Sequence, residues 1–213
     1  MLRRQFARTW LLVPGLGGWL WTGSAQAQFS ETDAAAGVRA ALERGANSAV
    51  ALLGRTDGFL GNPKVRIPLP GFLNDAAGIL KATGQQKRLD DLVTTMNRAA
   101  EAAMPEARTL LVSAVKSMSV DDGKRILSGG DDSVTQFFAS KTREPLSERF
   151  LPVVTKQTEK LALADKYNAV VGKAAGFGLV KKQDATIQQY VTGKALDGLY
   201  VMIGEEERKI RND

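Results

Sequence analysis

The 213-residue chain contains no histidine and no cysteine. Without histidine it lacks the commonest general base and the commonest transition-metal ligand. Ser-His-Asp and Cys-His catalysis and zincin-type sites are excluded, so any enzyme here must work with carboxylates, Lys, Tyr, Ser or Thr. Without cysteine there can be no disulfide and no lipoprotein signal, which needs a cysteine to acylate. No metal site and no cofactor is expected. Long apolar runs are also scarce. The one near the start, Trp10 to about Trp21, falls short of the roughly 20 residues a spanning helix needs, and Pro14, Gly15, Gly17 and Gly18 weaken it further.

What the chain does have at its start reads as an address. Arg3, Arg4 and Arg8 form a basic head with no acidic residue, the apolar stretch follows, and Ala25-Gln26-Ala27 gives a small-x-small cleavage pattern. This is the pattern of a secretory signal over residues 1–27, with an exported, periplasmic domain beginning at Gln28. Arg3-Arg4-Gln5-Phe6 resembles the core of a twin-arginine signal, but Leu2 and Ala7 stand where Ser or Thr and Leu are usual. Both the general and the twin-arginine export routes stay open.

The whole chain carries 29 basic and 23 acidic residues, and three of the basic ones lie in the leader, so beyond it the net charge falls from +6 to +3. No basic block remains, and a nucleic-acid surface has no support. Residues 28–213 are enough for a single domain with a sizeable core.

The pattern along that domain is helical, with apolar residues at three- and four-residue steps. Ser30–Leu53 reads as one long helix, loosened at Gly45 and stopped by Gly54. Phe72–Ala82 is a short helix ended at Gly84, and Gln85–Met104 another. Pro105 then opens a third, since proline suits a first turn. Ser119 caps a helix that stops at Ser128-Gly129-Gly130, and Asp131, Asp132 or Ser133 caps the next. Pro145 and Pro152 mark breaks or first turns. Asp165–Ala175 is helical, and Thr186 opens a last helix with Ile187, Tyr190, Val191, Leu199, Ile203 and Ile210 among its inner residues. The expectation is an all-α fold of about eight or nine helices.

One stretch departs from this pattern. DGFLGNPKVRIPLPG, residues 57–71, holds three of the seven prolines and three glycines. Residues before proline are pushed out of the helical basin, so Asn62, Ile67 and Leu69 should be extended. Val65, Ile67 and Leu69 alternate with Arg66 and Pro68 as a short edge strand with one apolar face. Residues 175–180 are its candidate partner in a small two-stranded element. The segment is expected to lie across the helices as a stiff clasp.

Three long, ordered stretches, GFLGNPKVRIPLP, MNRAAEAAMPEARTLLVSAVKSMSVDDGKRILSGGDDSVTQFF and YVTGKALDGLYVMIGEEERKIR, resemble a family of exported bacterial proteins known as domain of unknown function 4197. The similarity runs from about Thr32 to the C-terminus. It implies an all-helical fold, a signal peptide and a Gram-negative source, with no established activity. Members usually continue past the equivalent of Ile210-Arg211-Asn212 into a short tail ending in a basic-aromatic-glycine sequence, whereas this chain stops at Asp213. The expectation is that it lacks the tail or is truncated.

Six residues stand out as candidates for binding. Asn97, Arg98 and Glu101 share one face of an alanine-rich helix, either as a polar cluster lining a groove or as a structural network. Arg66 projects from the extended segment, where its fork could pin Glu101 or meet an anionic ligand. Asp197 interrupts the apolar face of the last helix before Gly198, which invites close approach. Glu205 begins a run with Glu206 and Glu207 that reads mainly as a solvated face. Asp121, Asp122, Asp131 and Asp132 lack calcium-loop spacing and read as caps. Gly176-Phe177-Gly178 lacks the setting of a phosphate loop.

The reading these residues support is a non-catalytic module that binds a small apolar or anionic ligand or a protein partner. Its groove would be bordered by residues 59–70 and the Asn97–Glu101 helix. A carboxylate-dependent hydrolase of envelope polymer using Glu101 with Asp197 or Glu205 is the alternative. A purely structural or assembly factor is a third.

Overall fold

The computed structural model describes residues 31–176 and 185–212. Among them are seven helices and no β-strand: α1 (Glu31–Leu53), α2 (Gly71–Ala82), α3 (Gln86–Lys116), α4 (Val120–Ser128), α5 (Ser133–Thr158), α6 (Ala162–Gly176) and α7 (Ile187–Asn212). Four long helices form a ring in which α1 packs on α3, α3 on α5, α5 on α7 and α7 back on α1, and α3 also meets α7. The shorter helices are satellites, α2 on α3, α4 on α1 and α5, and α6 on α3 and α7.

Seven helices, rather than eight or nine, result because three prolines do not break the chain where they were expected to. Pro105 lies inside α3, and Pro145 and Pro152 lie inside α5. An interior proline costs about 3 kcal/mol of helix stability through its missing N–H and ring clash. Tertiary burial outweighs that cost here. Met104 and Ala107, on either side of Pro105, are fully buried, as are Leu146 and Phe150 after Pro145 and Val154 after Pro152. Burying a large side chain stabilises by about 1.5–3 kcal/mol, so a few such residues on each side keep the helix axis running. α1 likewise runs through Gly45 without interruption.

The helix ends follow local chemistry more closely. α2 stops where Gly84 adopts a left-handed φ of 77°. α4 starts with a capping box. The Asp122 N–H donates to the Ser119 hydroxyl oxygen at 3.1 Å, and the Asp122 carboxylate accepts from the Ser119 N–H at 3.1 Å. Thr186 opens α7, its hydroxyl oxygen accepting from the Gln189 N–H at 3.1 Å.

Residues 66–70 form neither helix nor strand and pair with no strand among the described residues, and Val65, expected to begin the strand, lies in a turn in which the Asn62 carbonyl accepts the Val65 and Arg66 N–H groups at 3.2 and 2.9 Å. Of the expected partner stretch, residues 175 and 176 end α6, and residues 177–180 lie outside the described residues. Turns within the clasp satisfy part of its backbone, with the Gly58, Gly61, Asn62, Val65 and Arg66 N–H groups donating to carbonyls of residues 55–62, and side chains take the N–H groups of Phe59, Leu60 and Ile67.

Candidate functional site

The clasp, residues 57–71, crosses from just beyond α1 over α3 to α7, its last residue opening α2. It is held from below by three side chains of α3, Asn97, Arg98 and Glu101. Asn97 is fully buried. Its Oδ1 accepts the Ile67 N–H at 2.8 Å, and its Nδ2 donates to the Ile67 carbonyl at 2.9 Å and to the Val93 carbonyl at 2.8 Å. One amide therefore does for Ile67 what a neighbouring strand would do, by matching both its donor and its acceptor. This explains why the extended segment needs no β partner at that residue.

Glu101, one helical turn further on, is also buried. Its Oε1 accepts the N–H groups of Phe59 and Leu60 at 3.0 and 3.2 Å. Its Oε2 accepts from Arg98 at 2.7 Å, and the same guanidinium donates to Asp57 at 2.8 Å. The hydrogen bond to Glu101 is the largest influence holding the Arg98 guanidinium above its ordinary pKa, so it stays charged. Asp57 takes a left-handed φ of 63°, which aspartate tolerates better than most residues. A Cβ at Gly58 would lie 2.4 Å from the Leu53 carbonyl oxygen, so only glycine fits the turn.

On its other side the clasp meets α7. A Cβ at Gly198 would lie 2.7 Å from the Phe59 ring and 3.2 Å from Val65 Cβ, so the missing side chain is the seat for Phe59, which is fully buried. The Tyr190 hydroxyl donates to the Pro68 carbonyl at 3.2 Å, and Lys64 pairs with Glu205 at 2.7 Å.

The structure therefore brings Asn97, Arg98 and Glu101 together beneath one segment and leaves the other candidates apart. Arg66 is exposed and does not reach Glu101, which Arg98 engages instead. It lies outward at the end of the turn over residues 62–66, while its neighbours Val65 and Ile67 are buried. Asp197 is half exposed and pairs with Arg143 at 2.6 Å. Arg143 in turn lies over the Tyr200 ring, whose hydroxyl burial pushes above its ordinary pKa and which is 3.0 Å from the Thr142 hydroxyl. Glu205 is partly exposed and held between Lys64 and Arg208, with its pKa lowered chiefly by the Lys64 hydrogen bond.

A second feature lies away from the clasp. α1, α4, α5 and α7 enclose an open-mouthed cavity of about 420 Å³. Its walls include Leu42, Ile126, Val134, Phe138 and Ile203, and the exposed side chains of Leu127 and Ile210 stand on its rim. Ile210 was expected to face inward and instead sits at this mouth. Along α1 the lining residues Gly37, Ala41 and Gly45 recur every four positions; a Cβ at Gly37 would meet nothing within 4 Å, whereas one at Gly45 would touch Glu206 and Ile210 of α7.

One carboxylate lines this cavity. Glu207 is 3% exposed, in contrast to the solvated face expected for most of its run. Its Oε1 accepts the Val134 N–H at 3.2 Å and lies 3.2 Å from the Ser133 hydroxyl. It thereby caps α5, a role Asp132 leaves open because its side chain makes no capping hydrogen bond. The signal was in the periodicity. Glu207 falls four residues after Ile203 and eight after Leu199, on the inner face of α7.

The fold and these two features define a class: an all-helical protein built on a four-helix ring, clasped on one side and hollowed by an apolar cavity on another. No helix among the described residues is long and apolar enough to cross a membrane. Residues 28–213 match the family described as "protein of unknown function (DUF4197)", and the chain belongs to it. Comparisons with curated proteins and with solved structures give no match.

Proposed function

We propose that this is an exported, periplasmic, non-catalytic binding module of a Gram-negative bacterium, and that the cavity between α1, α4, α5 and α7 is where it takes an apolar ligand. The observation that carries this reading is the cavity itself. About 420 Å³ lies within the roughly 300–1,000 Å³ typical of small-molecule sites, and apolar walls with one placed polar group are the usual composition of such sites. The basic head, apolar stretch and Ala25-Gln26-Ala27 support export, with residues 28–213 as the single mature domain.

In this reading Asn97, Arg98 and Glu101 hold the clasp, and Asp197 and Glu205 tie α7 to its neighbours. Arg66 is left to meet an anionic group on a partner, which its exposure favours. The hydrolase alternative has less support. Glu101 is buried with both oxygens engaged, while Asp197 and Glu205 are each held by cations.

Native mass spectrometry on untagged protein recovered from the periplasm tests the reading. The expected result is a chain starting at Gln28 that carries an added mass, with the added mass lost in Gly37→Phe. A chain retaining residues 1–27 would sink the export part. A bare protein that also takes up no added apolar compound would sink the binding part.

A further inference from the structure

We infer that the protein has a second binding site, apart from the cavity, where the end of α1 meets the middle of α3, and that it takes a phosphate monoester with an apolar body. An open groove of about 460 Å³ lies there, walled by Val50, Ala51, Gly54, Arg55, Pro105 and Arg108. Gly54 lets the end of α1 settle onto α3, since a Cβ there would lie 3.1 Å from the Val50 carbonyl oxygen and 3.3 Å from Met104 Cβ. Arg55 and Arg108 are exposed, and they are the groove's only ionisable lining residues among the described ones. The carboxylates nearest to them in sequence are held elsewhere. Arg98 engages Asp57 and Glu101, and Arg149 engages Glu106.

The charge of the groove selects the head group. One guanidinium can satisfy a carboxylate alone, through two parallel N–H···O bonds. Two guanidiniums in one groove call for more negative charge and more acceptor oxygens. A phosphate monoester supplies both, with a charge of about −1.5 to −2 at neutral pH on three terminal oxygens. The groove lies at the C-terminal end of α1, where the helix dipole opposes an anion, so the two arginines must carry the attraction. The other walls select the body. Pro105 has no N–H, is exposed, and lines the groove with Ala51 and the buried Val50. These walls offer hydrocarbon and no polar side chain. The costly interior proline of α3 thus faces outward at this groove.

Phenyl phosphate, inorganic phosphate and benzoate titrated into the purified protein test the inference, with binding followed at the Val50 and Ala51 methyl and Gly54 amide resonances. Phenyl phosphate is expected to bind tightest, with benzoate weaker by about tenfold. Arg55→Gln and Arg108→Gln, both at exposed positions, should each weaken phenyl phosphate by about tenfold without lowering the melting temperature. Arg88→Gln, exposed on α3 but outside the groove, should leave the affinity unchanged. Vesicles containing phosphatidic acid, whose head is also a phosphate monoester, separate the two sources of such a ligand. Vesicles captured by the unaltered protein and lost in Arg108→Gln would assign the site to a lipid headgroup; phenyl phosphate bound without vesicle capture would assign it to a soluble phosphate. Benzoate binding as tightly as phenyl phosphate would overturn the phosphate assignment, and inorganic phosphate binding as tightly would overturn the apolar body. Shifts that spare Val50, Ala51 and Gly54, or an affinity indifferent to both arginine substitutions, would overturn the site itself.

Discussion

Asn97 shows how much one side chain can decide. Its amide meets both backbone groups of Ile67, which is itself almost wholly buried, and neither group has water to turn to. Leaving a buried donor or acceptor unmatched costs about 1–3 kcal/mol each. Asn97→Ala is therefore expected to lower unfolding stability by about 3 kcal/mol, read from a urea transition. Asn97→Asp should be at least as damaging, because it would set a carboxylate oxygen against the Ile67 and Val93 carbonyls; an Asp variant milder than Ala would disprove this role. A second prediction concerns Asp122. The Ser119 N–H, then the Ser119 hydroxyl, then Arg125 hold its carboxyl below the ordinary aspartate value of 3.8. A folded-state pKa that is depressed contributes stability above the unfolded value, and that contribution is lost as pH falls through the folded one. Wild type should exceed Asp122→Asn by about 1 kcal/mol near neutral pH, with the gap closing on acidification below the ordinary aspartate range. A gap that is constant with pH would mean that the charge contributes nothing.

At the scale of elements, the clasp and α7 are fitted to each other at Gly198. A methyl group there would stand 2.7 Å from the Phe59 ring, and that ring is enclosed on all sides. Gly198→Ala should cost about 1–3 kcal/mol by overpacking. Phe59→Leu should recover part of that loss in the double variant, a coupling a double-mutant cycle would detect. Gly193→Ala on the same helix meets nothing within 4 Å and should be neutral or stabilising by up to about 1 kcal/mol. Equal effects at the two glycines would show that close packing is not the cause. The elements also show what the sequence could announce. Apolar spacing and caps located α1, α2, α4 and α7 closely, because those signals act within a few residues. The prolines of α3 and α5 misled because their local cost is opposed by burial against distant helices, which spacing along the chain does not display. Gly198 was legible as an invitation to close approach, but its guest, Phe59, lies 139 positions away.

For the whole molecule, α3 is the shared support. Thirteen of its residues are buried, it touches the other three helices of the ring, and it carries Asn97, Arg98 and Glu101, which hold the clasp. The polar cluster Asn97–Glu101 was visible as chemistry on a helix face, yet whether it lined a groove or matched a backbone depended on which element lay above it. The cavity was less legible still. Gly37 in α1 leaves space only because α4, α5 and α7 stop short of it, whereas α7 closes in on Gly45. This architecture makes a testable statement about cooperativity. A loop rich in turns would ordinarily open independently of the core, but Phe59, Leu60 and Ile67 donate their N–H groups to buried side chains of α3. Their amides can exchange only when those contacts break, and those contacts are part of the central helix's own packing. α2, by contrast, has one buried residue and packs chiefly on α3. Hydrogen exchange should place the Phe59, Leu60 and Ile67 amides with those of central α3, slower than those of α2 by at least about 100-fold. Asn97→Ala should move the Ile67 amide toward the α2 rates while leaving Phe59 and Leu60, held by Glu101, much closer to their original protection. If all three amides exchange as fast as α2 in the unaltered protein, the clasp is a peripheral strap and the fold is held together without it.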